Sequence, residues 1–294
     1  MGDVLAGFHA AWEFGSDSVL IRYERGIRTP KLFQALGERR VPLDAIEGVT
    51  LTPGRRGTVV LRVEPRAGAD PLIEAAAGQL KESGDPYRLV LPAERETLAE
   101  YYADELRPLL TESGRTERYL VAPPEAPLQF KAYDGKASFD GKAVSFRWSW
   151  TGASSAKWKA GDQSFPVADL GGVEWRSPEM FEGYLRLLPR DADVSAATAA
   201  AAAPAVPQAD QDPAAVVFGL GYGPVHESLP FAAAVLAAVR ERGASAPVPV
   251  SVPAPRRDPA DIAERIRHLG ELHQQGLVTD EEFSSKKAEL LAEL

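Results

Sequence analysis

Hydrophobic and polar residues alternate in short runs through most of the chain and change to three- and four-residue spacing in a few places. Val19, Ile21 and Tyr23 alternate with Leu20, Arg22 and Glu24. Val59, Leu61 and Val63 alternate with Val60, Arg62 and Glu64, and Val144, Phe146 and Trp148 with Ser145, Arg147 and Ser149. A period of two predicts half-buried strands. Asp140-Gly141, just before the last of these runs, is a hairpin signal. Helical spacing appears between Glu94 and Leu110, where Leu98, Tyr101, Tyr102, Leu106, Leu109 and Leu110 predict one apolar face. It recurs between Leu229 and Arg240, with Phe231, Val235, Leu236 and Val239.

The end of the chain, Ile262 to Leu294, carries the same spacing in a smaller unit. Ile262, Ile266, Leu269 and Leu272 make one greasy helical face. Gly276 suits the left-handed residue that ends a helix, and Leu277 can pack back onto that end. Thr279 stands three residues before Glu282, a capping box for a second helix whose stripe is Phe283, Leu290 and Leu291. Two helices this short bury little apolar surface between themselves. The hairpin is therefore expected to complete its core against another copy of the chain or another protein. Its pattern, Leu269, Leu272, Gly276, Leu277, Thr279, Glu282, Phe283, Lys287 and Leu290 with Leu291 beside it, resembles the short C-terminal domain family, SHOCT. That resemblance implies oligomerisation or protein contact.

The body reads as a duplication. Val41-Pro42-Leu43-Asp44-Ala45-Ile46 aligns without gaps with Phe165-Pro166-Val167-Ala168-Asp169-Leu170. The register continues from Leu61-Arg62-Val63 to Leu185-Arg186-Leu187. Phe8-His9-Ala10 is matched to Phe130-Lys131-Ala132, Val19–Tyr23 to Val144–Trp148, and Asp85-Pro86 to Asp212-Pro213. A repeat this long implies two copies of one domain rather than a solenoid of short units. Each copy reads as several antiparallel strands followed by one helix, a bent sheet or small barrel capped by that helix. This is the pleckstrin-homology (PH)-like plan. The phrase Val-Pro-Leu-Asp-x-Ile-x-x-Val resembles the strand and turn of bacterial PH-like domains. The tandem pair with its tail resembles a bacterial family filed as domain of unknown function four-four-two-nine, which brings no catalytic residues. The expected fold is mainly β with α. A first PH-like copy spans 1–112 and a second 126–242. A Pro-rich linker follows over 243–259, and a SHOCT-like helical hairpin over 260–294.

Two insertions stand at the same place in both copies. Ala67 to Gly84 is expected to hold a helical turn; Val194 to Gln211, rich in Ala and Pro, is expected to be mobile. Pro247, Pro249, Pro253, Pro255 and Pro259 predict an extended tether before the tail.

Composition narrows the functional classes. The 294 residues are 45% hydrophobic and 26% charged, ordinary for a globular protein of about two domains plus a tail. A net charge of −9 argues against a general nucleic-acid binder. With no Cys, neither disulfides nor thiolate metal sites can form, which fits a reducing cytoplasm. The first residues show no basic start and no long apolar run, so no secretory signal is expected. No run approaches the length of a membrane span.

A search for catalytic chemistry yields no set. His268 and His273 are five apart, which does not place them on one helical face. His226-Glu227-Ser228 are neighbours in sequence and cannot converge as a triad does. Gly219-Leu220-Gly221-Tyr222-Gly223-Pro224 lies between a strand and a helix, but its third glycine is misplaced for a dinucleotide fingerprint and Pro224 removes a donor. A tight turn is the expected reading. No cofactor and no metal are expected. Arg22, Arg25, Arg28, Lys31, Arg39 and Arg40 form a candidate anionic-ligand surface in copy one, interleaved with carboxylates. Trp150 and Trp158 flank a polar turn in copy two, as surface groups or as rim packing. The sequence is thus read as a non-enzymatic scaffold that associates through its tail. The alternative is a peripheral membrane adaptor using the basic loops of copy one.

Overall fold

The computed structural model describes residues 3–190 and 208–245. The linker and tail expectations, including Ile262, Ile266, Leu269, Leu272, Leu277, Phe283, Leu290 and Leu291, lie outside the described residues, as does most of the Ala/Pro-rich insertion.

Copy one begins with four antiparallel strands, β1 (Asp3–Ala6), β2 (Ala10–Phe14), β3 (Ser18–Tyr23) and β4 (Glu38–Pro42), paired in chain order. A short helix, α1 (Lys31–Leu36), interrupts the last connection. A second sheet follows, of β5 (Ile46–Pro53), β6 (Thr58–Pro65) and β7 (Arg88–Pro92), with α2 (Pro71–Ala76) between its last two strands. Helix α3 (Glu96–Leu106) closes the copy. Copy two repeats the order: β8 (Leu128–Lys131), β9 (Gly135–Phe139), β10 (Ala143–Trp148), α4 (Ser155–Ala160) and β11 (Gln163–Pro166). Then come β12 (Leu170–Arg176), β13 (Tyr184–Pro189), β14 (Ala215–Val217) and α5 (Val225–Ser245).

The duplication extends to single hydrogen bonds. After β4 and after β11 the chain makes one 3-10 turn, Leu43–Ala45 and Val167–Asp169, and each second sheet opens with a register shift, Ile46/Gly48 and Leu170/Gly172. Asp85 accepts the Tyr87 N–H at 2.9 Å and faces Arg62 Nε at 3.3 Å; Asp212 accepts the Ala214 N–H at 2.8 Å and faces Arg186 Nε at 2.9 Å. One correction emerges at the start of the repeat. Phe8 N–H donates to Val90 O at 2.7 Å and Tyr133 N–H to Val217 O at 3.0 Å, so Phe8 corresponds to Tyr133 and not to Phe130. The loop before β9 hides this shift in the sequence, because the backbone bonds fix the position while side-chain identity changes.

The closing helices differ. Helix α3 buries Ala99, Tyr102, Ala103 and Leu106. Leu98, Tyr101 and Leu109 are exposed, so the predicted stripe is rotated in part: Tyr102 and Leu106 face the core as expected, joined by Ala99 and Ala103 in place of the exposed three. Helix α5 is 21 residues long and is buried on more than one side. Its second cover comes from copy one. Leu32 of α1 and Leu72, Ala75 and Ala76 of α2 are buried in the same apolar cluster as Phe130, Phe146, Phe231 and Val235. Each such leucine contributes about 1.5–3 kcal/mol when fully removed from water. The helical turn expected in the first insertion is thus α2, and its apolar face is packed on the other copy. Polar ties reinforce the seam: Gln79 donates to Trp175 O at 2.9 Å and accepts the Ser177 N–H at 2.9 Å, while Arg240 donates to Glu74 at 2.6 Å and to Gly68 O at 3.1 Å. Residues up to Ser245 form one compact unit.

Candidate functional site

A cleft of about 770 Å³ lies along the seam, with Pro30, Lys31 and Leu80 of copy one facing Phe181, Leu220 and Tyr222 of copy two. Its glycine-rich wall is a turn. Tyr222 N–H donates to Gly219 O at 2.9 Å and Gly223 N–H to Lys131 O at 2.8 Å. Gly221 and Gly223 have φ of 80° and 63°, and a Cβ on Gly223 would lie 2.2 Å from the Phe218 ring. Glycine is needed there for conformation and space, and the backbone donors bond the protein itself. His226 and Glu227 sit at the start of α5, with Nε2 and Oε1 3.7 Å apart. Burial pushes the His226 imidazole below its usual pKa. Ser228 is buried, donates to Gly223 O at 2.9 Å and accepts the Trp175 indole N–H at 3.1 Å. The three neighbours therefore point to different tasks, and Ser228 anchors the helix start. Among the described residues, no three His, Asp or Glu side chains are grouped to hold a metal.

The basic surface expected in copy one is broken up. Arg39 is buried, with its guanidinium 2.7 Å from Asp70. Asp70 also accepts the Tyr87 hydroxyl at 2.7 Å and, as the N-cap of α2, the Leu72 N–H at 2.9 Å. A carboxylate withdrawn from water requires such partners. Arg39 thus holds α2 in place and is not available to a ligand, which corrects the sequence expectation. Arg22 lies between Glu13 at 2.6 Å and Glu38 at 3.2 Å, and Arg40 donates to the Ser18 hydroxyl at 2.8 Å. Arg25, Arg28 and Lys31 are exposed on or beside the β3–α1 connection, next to a fully exposed Ile27.

Copy two has a second buried ion pair. Lys157 occupies the position of Phe33 in copy one. Its Nζ lies 2.5 Å from Asp134, 2.7 Å from Ala209 O and 5.0 Å from the Trp148 ring centre. Asp134 also accepts the Val217 N–H at 3.0 Å. Burial raises the Asp134 pKa and lowers that of Lys157, since each loses water. The pair is enclosed by protein, and its work is to pin the β8–β9 connection to β14 and to the chain leaving the insertion.

That pinned connection is the centre of a three-loop tip. Ser149 N–H donates to Asp134 O at 2.8 Å, a Cβ on Gly152 would lie 2.2 Å from Tyr133 O, and a Cβ on Gly219 would lie 3.0 Å from Tyr133 Cβ. The β8–β9, β10–α4 and β14–α5 connections therefore meet at Tyr133. Trp150 is 81% exposed and Leu220 fully so, with Tyr133 and Trp158 about half exposed. The Trp150 and Trp158 rings are 5.6 Å apart, and those of Tyr133 and Tyr222 6.2 Å. The sequence pointed to the tryptophans but not to Tyr133, Leu220 or Tyr222, which join them only because three distant loops converge.

Comparison with known proteins adds family and tail. No curated protein matches the chain. A short C-terminal domain, SHOCT, matches residues 264–291. A domain of unknown function, DUF4429, matches twice, over 12–107 and 137–236, and no enzyme family is among these matches. Those two stretches coincide with the two structural copies and make up most of the chain, which belongs to the DUF4429 family in tandem form with a SHOCT domain after it.

Proposed function

We propose that this protein is a non-enzymatic binding and scaffold protein, with two PH-like domains fused into one body and a C-terminal hairpin that associates with a second copy. The PH-like reading is supported by the order of elements, four strands, three strands and a closing helix, found in both copies. The single observation that carries the associative role is the SHOCT match at 264–291, a unit too small to bury its own apolar stripes. A binding role is supported over catalysis by the buried polar groups, since Arg39 pairs with Asp70, Lys157 with Asp134, and Ser228 bonds the start of α5, so that they are not aimed at a common point. No helix among the described residues is long and apolar enough to cross a membrane. Multi-angle light scattering of the full chain tests the associative role. The intact protein is expected to exceed its monomer mass of 31.7 kDa in a concentration-dependent way, and the variant Leu269→Asp/Leu290→Asp to remain at that mass. Equal masses for both proteins at every concentration would remove self-association.

A further inference from the structure

Behind the three-loop tip of copy two, the strand register sets three cations side by side. Lys131 on β8 pairs across to Lys136 on β9, and Lys136 pairs across to Arg147 on β10. All three side chains are exposed on the outward face, while their neighbours Phe130, Ala137, Phe146 and Trp148 are buried. Like charges directly opposite one another destabilise a sheet. The arrangement is relieved when anions lie against it. Two exposed carboxylates face the row: Asp162, whose Oδ2 is 3.5 Å from Arg147 Nε, and Glu227, on the rim of the same shallow depression of about 680 Å³. Lys131 Nζ also lies 5.2 Å from the centre of the Tyr222 ring, which links the row to the tip.

We propose that this end of copy two docks on an anionic lipid bilayer. Cations and exposed aromatic groups occur together here, and each suits a different layer of a membrane surface. Tyr and Trp favour the headgroup level, where one end of the ring is wet and the other apolar. Leu220, fully in water in the free protein, is the most exposed apolar side chain of the tip. Lys131, Lys136 and Arg147 stand two or three residues from Tyr133 and Trp150, within reach of lipid phosphates once those rings lie at the headgroup level. The aromatic groups of the tip stand as ring pairs, Trp150 with Trp158 and Tyr133 with Tyr222, at the same end as the cationic row, and charge beside amphipathic rings suits a lipid headgroup layer. The overall charge of −9 does not prevent docking, because carboxylates further away than about 10 Å are largely screened at ordinary salt. Copy one lacks the cationic strand row, and its exposed Arg25, Arg28 and Lys31 lie instead along the β3–α1 connection beside Ile27. Its corresponding row is Ala6, Ala11 and Arg22, and Arg22 is bracketed by two glutamates. The proposal goes beyond the scaffold reading and concerns a surface that the tail variants do not touch.

Co-sedimentation of the full chain with phosphatidylcholine vesicles, with and without phosphatidylserine, tests it. Binding is expected only to the anionic vesicles and is expected to weaken as salt is raised. Replacing Lys131 or Lys136 by Gln should weaken it about fivefold each. Trp150→Ala should weaken it several-fold and abolish a blue shift in tryptophan emission on binding, while Arg22→Gln should leave it unchanged. Circular dichroism of the variants should match the parent, since all these side chains are exposed. No vesicle binding, equal binding to neutral vesicles, or equal binding by the lysine variants would overturn the proposal. Competition by excess glycerophosphoserine would also overturn it, by locating recognition in a single headgroup site instead of a surface.

Discussion

Arg22 in copy one and Arg147 in copy two occupy the same strand position in the two halves of the body. Around Arg22 stand two alanines in the row and two glutamates within hydrogen-bonding reach; around Arg147 stand a row of lysines and one aspartate at 3.5 Å. The backbone bonds on either side are the same. The same inversion affects the closing helices: α3 leaves Leu98 and Tyr101 in water, whereas α5 is covered on a second side by α1 and α2 of the other copy. Copy one therefore gives its helices to the seam, and copy two gives its loop tip to the outside. Duplication supplied one frame twice, and the outward positions, which the frame does not constrain, carry different tasks.

Breaking the copy-two frame should have the largest effect. Lys157→Ala leaves Asp134 buried without its cation and should cost about 3–5 kcal/mol in chemical denaturation. Pairing Lys157→Met with Asp134→Asn should recover part of that loss, because Asn keeps an acceptor for the Val217 N–H. Copy one has Phe33 at this place and needs no such pair. An unchanged midpoint for Lys157→Ala would mean that the pair does not hold the tip.

The seam comes next. Leu72→Ala should cost about 3 kcal/mol, because it opens a cavity under α5 in the core of the opposite copy. Leu98→Ala, on the uncovered face of α3, should stay within about 0.5 kcal/mol. Similar costs for the two substitutions would contradict the asymmetry between the closing helices.

Much of the frame was legible because it rests on periodicity. The alternation at Val19–Tyr23 and Val144–Trp148 located β3 and β10, Asp140-Gly141 located the β9–β10 hairpin, and Val41-Pro42 against Phe165-Pro166 located the strand, turn and strand of each copy. The α3 stripe was misplaced in part because alanines carry little weight in an apolar pattern, although Ala99 and Ala103 share the buried face with Tyr102 and Leu106. Arg39 looked like a surface cation because its partner Asp70 is remote in sequence, and burial of a paired charge leaves no local signature. The cationic row was invisible for the same reason: Lys131, Lys136 and Arg147 are unremarkable singly, and only strand register makes them neighbours.

Hydrogen exchange of the full chain, free and bound to phosphatidylserine-containing vesicles, tests most directly whether the two copies have diverged into an internal and an outward-facing half. The account predicts slowed exchange in residues 131–136, 147–154 and 218–224, with 6–11 and 24–30 of copy one unchanged. Slowing confined to the copy-one segments, or shared equally by both copies, would contradict it.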